Sequence, residues 1–288
     1  MNTACPPARV LPRLSEAQAH LTHEVEVVDE RGRHSIISIP AERPLTVYVD
    51  KRELVTLMTL GGAPEALTLG YLRNQRLVRS IDDIVSVQVD WAVDAVAVVT
   101  RNGIADVEER TSKKVVTTGC GQGSVFGGLM DEVDQIMLPP GARLRQSTVY
   151  RVVETIRTQQ SIYKQAGSVH GCALFSGDGA LLYFIEDVGR HNAVDAIAGK
   201  MWLDDIDGSD KVFYTTGRLT SEMVIKGAQM GIPFLLSRSG TTQMGHMVAG
   251  KVGMSLLARC TGKHFLLLTG HERLDFEPDL LDPALRSL

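Results

Sequence analysis

The residues with the most chemistry in the fewest positions are Glu186-Asp187-Val188-Gly189-Arg190-His191-Asn192-Ala193-Val194-Asp195. Three acids, a guanidinium, an imidazole and an amide fall within ten positions. An apolar run from Ala180 to Ile185 reads as a buried strand before them, and Ala193, Val194, Ile197, Ala198 and Met201 repeat with helical period after them. The cluster therefore sits where a strand hands over to a helix, where free backbone N–H groups and the helix dipole favour an anion. A helix cap at Asp187 or Asn192 and a surface ion pair at Arg190 would explain single residues. No one cap needs Gly189, Arg190, His191 and Asn192 together.

A second centre is the loop Thr117-Thr118-Gly119-Cys120-Gly121-Gln122-Gly123-Ser124-Val125-Phe126-Gly127-Gly128, with five glycines in twelve residues. Cys120 stands between two glycines, away from the large apolar neighbours of a packed cysteine. Lys113 and Lys114, just upstream, favour its thiolate. The plain alternative is a flexible linker with an incidental thiol.

Two further stretches repeat the strand-to-helix pattern. Thr216-Gly217-Arg218-Leu219-Thr220-Ser221-Glu222 offers a glycine for close backbone approach, a planar guanidinium and capping hydroxyls. Ser237-Arg238-Ser239-Gly240-Thr241-Thr242 does the same one strand later. A phosphate-bearing ligand accounts for all three stretches, whereas turn-plus-cap readings account for each alone. Arg259-Cys260-Thr261-Gly262-Lys263-His264 reads either as a solvated helix end or as a second anion contact. His170 reads as a satisfied core histidine or as a proton carrier at a strand head. Cys172, on the same strand face, reads as core, as do Met244, Met247 and Met254 at helical spacing. No lysine-bearing phosphate loop and no Gly-x-Gly-x-x-Gly follows a strand, which disfavours ATP hydrolysis and dinucleotide oxidoreduction. The eight histidines suggest no metal site.

Elements that position these residues follow from pattern. Residues 1–21 read as a mobile tail, 22–110 as a mainly β region, 111–146 as the cysteine loop and linker, and 147–288 as a three-layer α/β/α cofactor-binding domain. Strands are expected at Glu24–Val28, Ser35–Ile39, Leu45–Val49, Leu54–Met58, Ile84–Val89, Val93–Val99 and Ile104–Glu109, with a helix over Pro64–Leu72. The second half predicts a helix over Ser147–Ala166 capped by Ser147, and a hairpin of Val169–Phe175 and Leu181–Ile185. A helix over 191–202, strand Lys211–Thr215, helix Thr220–Met230, strand Pro233–Ser237, helix Thr242–Leu257 and strand His264–Leu268 follow. That alternation predicts a largely parallel sheet with ligands at the strand carboxyl ends.

Composition narrows the class. The 288 residues carry net charge −4, which gives no basic footprint for nucleic acid. Cys5, Cys120, Cys172 and Cys260 are scattered, fitting a reducing, cytoplasmic setting. No secretory signal opens the sequence, and no apolar run approaches a membrane span of about 18 residues. A soluble protein is expected.

Taken together, Glu186–Asp195, Gly217–Met223, Gly167–His170, Glu42–Val49 and Thr118-Gly119-Cys120-Gly121 resemble the formate dehydrogenase accessory sulfurtransferase family, FdhD, from about residue 40 onward. The resemblance implies a cytoplasmic, homodimeric sulfur carrier with a cytidine-deaminase-like α/β/α domain. It implies that Cys120 takes persulfide sulfur from a cysteine desulfurase and passes it to the molybdenum cofactor, bis-molybdopterin guanine dinucleotide, for formate dehydrogenase. Recognition of the GDP or GMP moiety falls to Arg190, Arg218 and Arg238, with Arg259 and Lys263 behind them. Asp187, Gly189, His191, Asn192, His170, Gly217, Ser221, Glu222, Ser237, Ser239, Cys260, Thr261, Gly262 and His264 complete the candidate binding set. Many family members have Cys-x-x-Cys in the loop, and here Gly123 takes the second place. Arg259–His264 matches the family's binding segment in position and only loosely in residues. The zinc signature of deaminases is absent, since Cys172 stands two residues after His170. A cofactor-binding chaperone that moves no sulfur is the alternative.

Overall fold

The computed structural model describes residues 10–104, 133 and 135–280. The first sheet comes from the β-branched runs of the N-terminal third. Its strands are β1 (Arg13–Leu14), β4 (Arg43–Val49), β5 (Arg52–Thr59), β6 (Ile84–Asp90) and β7 (Ala95–Thr100), in the order β1-β6-β7-β4-β5. A hairpin of β2 (Thr22–Val28) and β3 (His34–Pro40) stands apart as a two-stranded sheet. The six strands expected up to Val99 are all present, each within about three residues of the expected ends. The strand expected over Ile104–Glu109 lies almost wholly outside the described residues, as do Cys120 and its glycine loop.

Helix α1 (Pro64–Asn74) starts with proline in its first turn. It covers the inner face of this sheet with Leu67, Leu69, Tyr71 and Leu72, against Leu45, Val47, Leu57, Val87 and Val96. The expected mobile tail is tied down from Arg13 onward. Arg13 and Leu14 pair in parallel with Ser86 and Val87, and Glu65 accepts from Ser15 Oγ at 2.6 Å and Ala17 N at 2.7 Å.

The second half contains β8 (Leu144–Arg145), α2 (Gln146–Thr158), α3 (Ile162–Ala166), β9 (His170–Phe175), β10 (Leu181–Asp187), α4 (Arg190–Leu203), β11 (Val212–Thr215), α5 (Ser221–Gln229), β12 (Phe234–Ser237), α6 (Gln243–Val252), β13 (Ser255–Thr261), β14 (His264–Thr269) and β15 (Leu274–Asp275). Six strands form one sheet ordered β10-β9-β11-β12-β13-β14. Alternation along each strand sorts the core into two faces. Cys172, Leu174, Phe213, Leu235 and Leu256 face α4, α5 and α6, while Ala173, Phe175, Val212, Tyr214, Phe234 and Leu236 face α2. The three expected layers are present.

Four expectations are corrected. The sheet is mixed: β11–β12 and β12–β13 are parallel, and the other three pairings are antiparallel. The helix expected over Ser147–Ala166 is two helices. Gln159 turns extended after α2, and Ser161 caps α3 by accepting from Lys164 N at 3.2 Å. Ser147 caps nothing, and its N–H goes to Glu277 Oε2 at 2.6 Å. The helix expected over Thr242–Leu257 stops at Val252, because Gly253 takes the left-handed conformation (φ 71°) that ends helices, and β13 follows. Of the three methionines expected in the core, only Met254 is there. Met244 and Met247 are 43% and 57% exposed, because α6 buries the Gly245, Val248, Ala249 and Val252 side instead.

Candidate functional site

One edge of the six-stranded sheet collects the candidate residues. Strands β11, β12 and β13 run parallel, and β9 runs antiparallel to both β10 and β11. The carboxyl ends of β10 to β13 therefore share an edge with the starts of β9 and β14. His170 pairs with Asp187 and Thr215 with Ser237, while Arg259 N donates to Ser239 O at 2.8 Å. Arg259–His264 is the β13–β14 turn and not the end of a helix, yet the topology delivers it to the same edge. Arg218, Arg238, Arg259, Lys263 and His264 are exposed there, beside buried Arg190 and half-buried His170. Neither α4 nor α5 has a side-chain cap, so their first amides also face this edge with positive dipole ends.

Hydroxyls hold the turns that carry the arginines. Thr215 Oγ1 accepts from Gly217 N at 3.1 Å, and Thr216 Oγ1 from Gly171 N at 3.0 Å. Ser237 Oγ donates to Gly217 O at 2.6 Å and accepts from Ser239 N at 2.9 Å. A Cβ on Gly217 would stand 3.2 Å from Arg190 Cδ, so glycine lets the Arg218 turn lie against the Arg190 side chain. Burial, then the fields of Arg190 and Arg218, hold the His170 pKa below the ordinary imidazole value.

Other nominated residues work inward. Asp187 accepts from Thr59 Oγ1 at 2.5 Å, Leu60 N at 3.1 Å, Gly189 N at 3.0 Å and Asn192 Nδ2 at 2.8 Å. Asn192 Nδ2 also donates to Met58 O at 2.6 Å. These two residues latch the end of β5 onto the strand-to-helix turn. His191 Nε2 lies 3.1 Å from Glu222 Oε2, with both side chains buried. Ser221 is buried in the first turn of α5. Cys260 is buried in the face that packs on α2, and burial pushes its thiol to about 12. Cys172 is fully buried, donates to Thr215 Oγ1 at 3.4 Å, and has its thiol pushed up to about 12 by burial.

Sequence reasoning passed over Asn74, Lys226, Thr59 and Thr215, and gave Asp195 and Thr216 no role beyond membership of their polar stretches. The one signal for Lys226 was a charge four residues after Glu222 in an otherwise apolar helix. Among the described residues no group of three or more His, Cys, Asp or Glu could hold a metal ion.

Comparison with known proteins gives a consistent picture. The model of the FdhD/NarQ family matches residues 40–275. A protein named sulfur carrier protein FdhD from Saccharolobus solfataricus is 30% identical over 256 residues, covering 87% of this chain and 96% of its own. A protein of the same name from Sulfurisphaera tokodaii is 31% identical over 241 residues, covering 82% and 91%. Among solved structures, a candidate formate dehydrogenase accessory protein from Desulfotalea psychrophila superposes with a TM-score of 0.71. It is 24% identical, covers 88% of this chain and 98% of its own, and so has the same fold. A match that spans both the N-terminal sheet and the whole cationic edge makes this chain a member of the FdhD/NarQ family.

Proposed function

We propose that this chain is a sulfur carrier in formate dehydrogenase maturation, which binds bis-molybdopterin guanine dinucleotide along the cationic edge and passes it sulfur from Cys120. The observation that carries the reading is the row of cationic residues at the ends of adjacent strands. From Arg190, just past the end of β10, to Lys263 beyond β13 the row crosses most of a six-stranded sheet, roughly 20 Å at about 4.8 Å per strand. A mononucleotide is shorter than that row, whereas an extended ligand with several phosphates matches it. Guanidinium forks suit phosphate oxygens, and uncapped helix starts add dipole attraction.

The thiolate of Cys120 attacks the terminal sulfur of a cysteine desulfurase persulfide. A Cys120 persulfide forms, and the desulfurase cysteine leaves as thiolate. The terminal sulfur would then pass to the bound molybdenum cofactor as substrate: the Cys120 S–S bond breaks, Cys120 leaves as thiolate, and the two electrons that reduce the sulfane sulfur to sulfide come from reduced molybdenum. Neither Cys172 nor Cys260 is placed to act in this chemistry, since buried thiols with raised pKa values are inert. In this reading the protein acts as a cytoplasmic homodimer, and among the described residues no helix is long and apolar enough to cross a membrane. Gly123, in place of a second loop cysteine, sustains a second reading in which the protein delivers the cofactor without moving sulfur. Mass spectrometry after incubation with desulfurase and cysteine decides between them. A gain of one sulfur on the Cys120 peptide supports the carrier, and its absence supports the chaperone.

A further inference from the structure

Beneath the cationic edge lies a charged cluster that anion binding itself does not use. The Lys226 side chain, on α5, is 1% exposed, with Nζ 2.9 Å from Asp195 Oδ2 and 3.7 Å from Glu222 Oε1. Asp195, on α4, is fully buried, and its Oδ1 accepts from Asn74 Nδ2 of α1 at 2.7 Å. Glu222 closes the chain against His191 at the start of α4. The groups facing the cluster are Tyr71 and Asn74 from α1, His191 and Asp195 from α4, Glu222 and Lys226 from α5, and Cys172 from β9, with Asp187 of β10 beyond. The Tyr71 phenol and the Cys172 thiol are both pushed up by burial, so neither is charged near neutrality. Burial opposes the charge on Lys226, but Asp195 and Glu222 outweigh it and hold the ammonium protonated.

The upper end of this cluster touches both arginine-bearing turns. His191 follows Arg190, and Glu222 lies four residues after Arg218, in the first turn of α5. A buried ion pair seldom stabilises more than an apolar replacement would, but removing one partner leaves an uncompensated charge. We infer that Lys226 is a positioning residue, which holds Asp195 and Glu222 to one ammonium and so fixes the start of α5 against the start of α4. The spacing of Arg218 from Arg190 at the cationic edge follows from that clamp. The inference rests on the anion-binding reading above.

GDP binding measured by calorimetry at about pH 6 and about pH 8.5 tests it, in wild type, Lys226→Met and the double variant D195N/K226M. In K226M, burial and mutual repulsion raise the carboxylate pKa values, so one proton returns as pH falls and the geometry returns with it. The ratio of the K226M to the wild-type dissociation constant is expected to be about tenfold at the higher pH and below about threefold at the lower. One linked proton allows tenfold per pH unit. Taking the ratio cancels titration of the nucleotide. D195N/K226M loses one positive and one negative charge together, so it should bind within about threefold of wild type at both pH values. A pH-independent ratio in K226M, or no rescue in the double variant, overturns the positioning role while leaving the anion site standing. Should K226M not fold, the double variant alone carries the test, and a tenfold loss there overturns the inference. No GDP binding by wild type overturns the anion site and the inference together.

Discussion

Replacing Asp187 with alanine should release the latch between the N-terminal sheet and the cationic edge, and its cost can be worked from the partners. Four donors lose their acceptor. Asn192 Nδ2 keeps Met58 O, and Gly189, which is not fully buried, can turn to water. Thr59 and Leu60 are each 1% exposed and have no such recourse. Two buried donors left unmet cost about 1–3 kcal/mol each, so the expected loss is about 4 kcal/mol. That is a large share of the roughly 5–15 kcal/mol that holds a domain together. Thr59 and Leu60 share one carboxylate oxygen and Gly189 and Asn192 the other, so Asp187→Asn can still accept from one pair and a smaller loss than in D187A is expected. Burial raises the Asp187 pKa despite these bonds. A carboxyl raised in the folded state contributes stability that is present below its unfolded value and lost as pH rises through the folded one. The deficit of D187A should therefore be smallest near neutrality and grow as pH falls toward about 4. Urea denaturation followed by circular dichroism at two pH values gives both numbers. A deficit under about 1 kcal/mol, or one that shrinks on acidification, would refute the latch.

Further predictions concern separate sites. Gly199→Ala should destabilise the fold by about 3 kcal/mol or more by urea unfolding, because its Cβ would stand 1.9 Å from Ala66 O, where α1 and α4 cross in backbone contact. Anions that neutralise Arg190 and Arg218 should raise the depressed pKa of His170, so GDP binding takes up a proton and tightens as pH falls. Calorimetry in buffers of different ionisation enthalpy measures that uptake, which His170→Gln should abolish. Arg218→Ala and Arg238→Ala should each reduce the GDP-induced rise in melting temperature, since the ligand stabilises by mass action and each guanidinium contributes charge-assisted bonds. Cys172→Ala should keep sulfur transfer near wild type at a stability cost of about 1 kcal/mol, because its thiol is buried and far from ionising.

Local chemistry carried much of this structure into legibility. The β-branched runs of the N-terminal third, the proline at the start of α1 and the turn Ser176–Gly179 announce their elements by residue type. The polar stretches at Asp187–Asn192, Gly217–Glu222 and Ser237–Ser239 were legible as strand-to-helix turns because each follows an apolar run. Strand direction was not legible, because a buried strand reads as a hydrophobic run whichever way it points. Helix α6 was read too long because Met254, Leu256 and Leu257 are apolar in either period, and only the φ of Gly253 separates helix from strand. The pairing of Lys226 with Asp195 was not legible because the two lie 31 positions apart in sequence, and nothing local marks such a pair.

The N-terminal sheet also has a defined place in the chemistry. Its end strand β5 delivers Thr59 and Leu60 to Asp187, and α1 delivers Asn74 to Asp195. Gly70 brings α1 so close to α4 that a Cβ there would stand 1.6 Å from Asp195 O. Both helices are thus registered against the strand-to-helix turn that carries Arg190. Mixed pairing in the second sheet serves the same end. Because β9 runs against both neighbours, β10 and β11 finish at the same edge of the sheet, so Arg190 and Arg218 meet across the head of β9. A purely parallel order would need a crossover between each pair of adjacent strands to put those two ends on one edge. Here one crossover through α4 returns the chain from β10 to β11, while the hairpin at Ser176–Gly179 sets β9 between them, so the His170 imidazole lies between the two guanidinium fields.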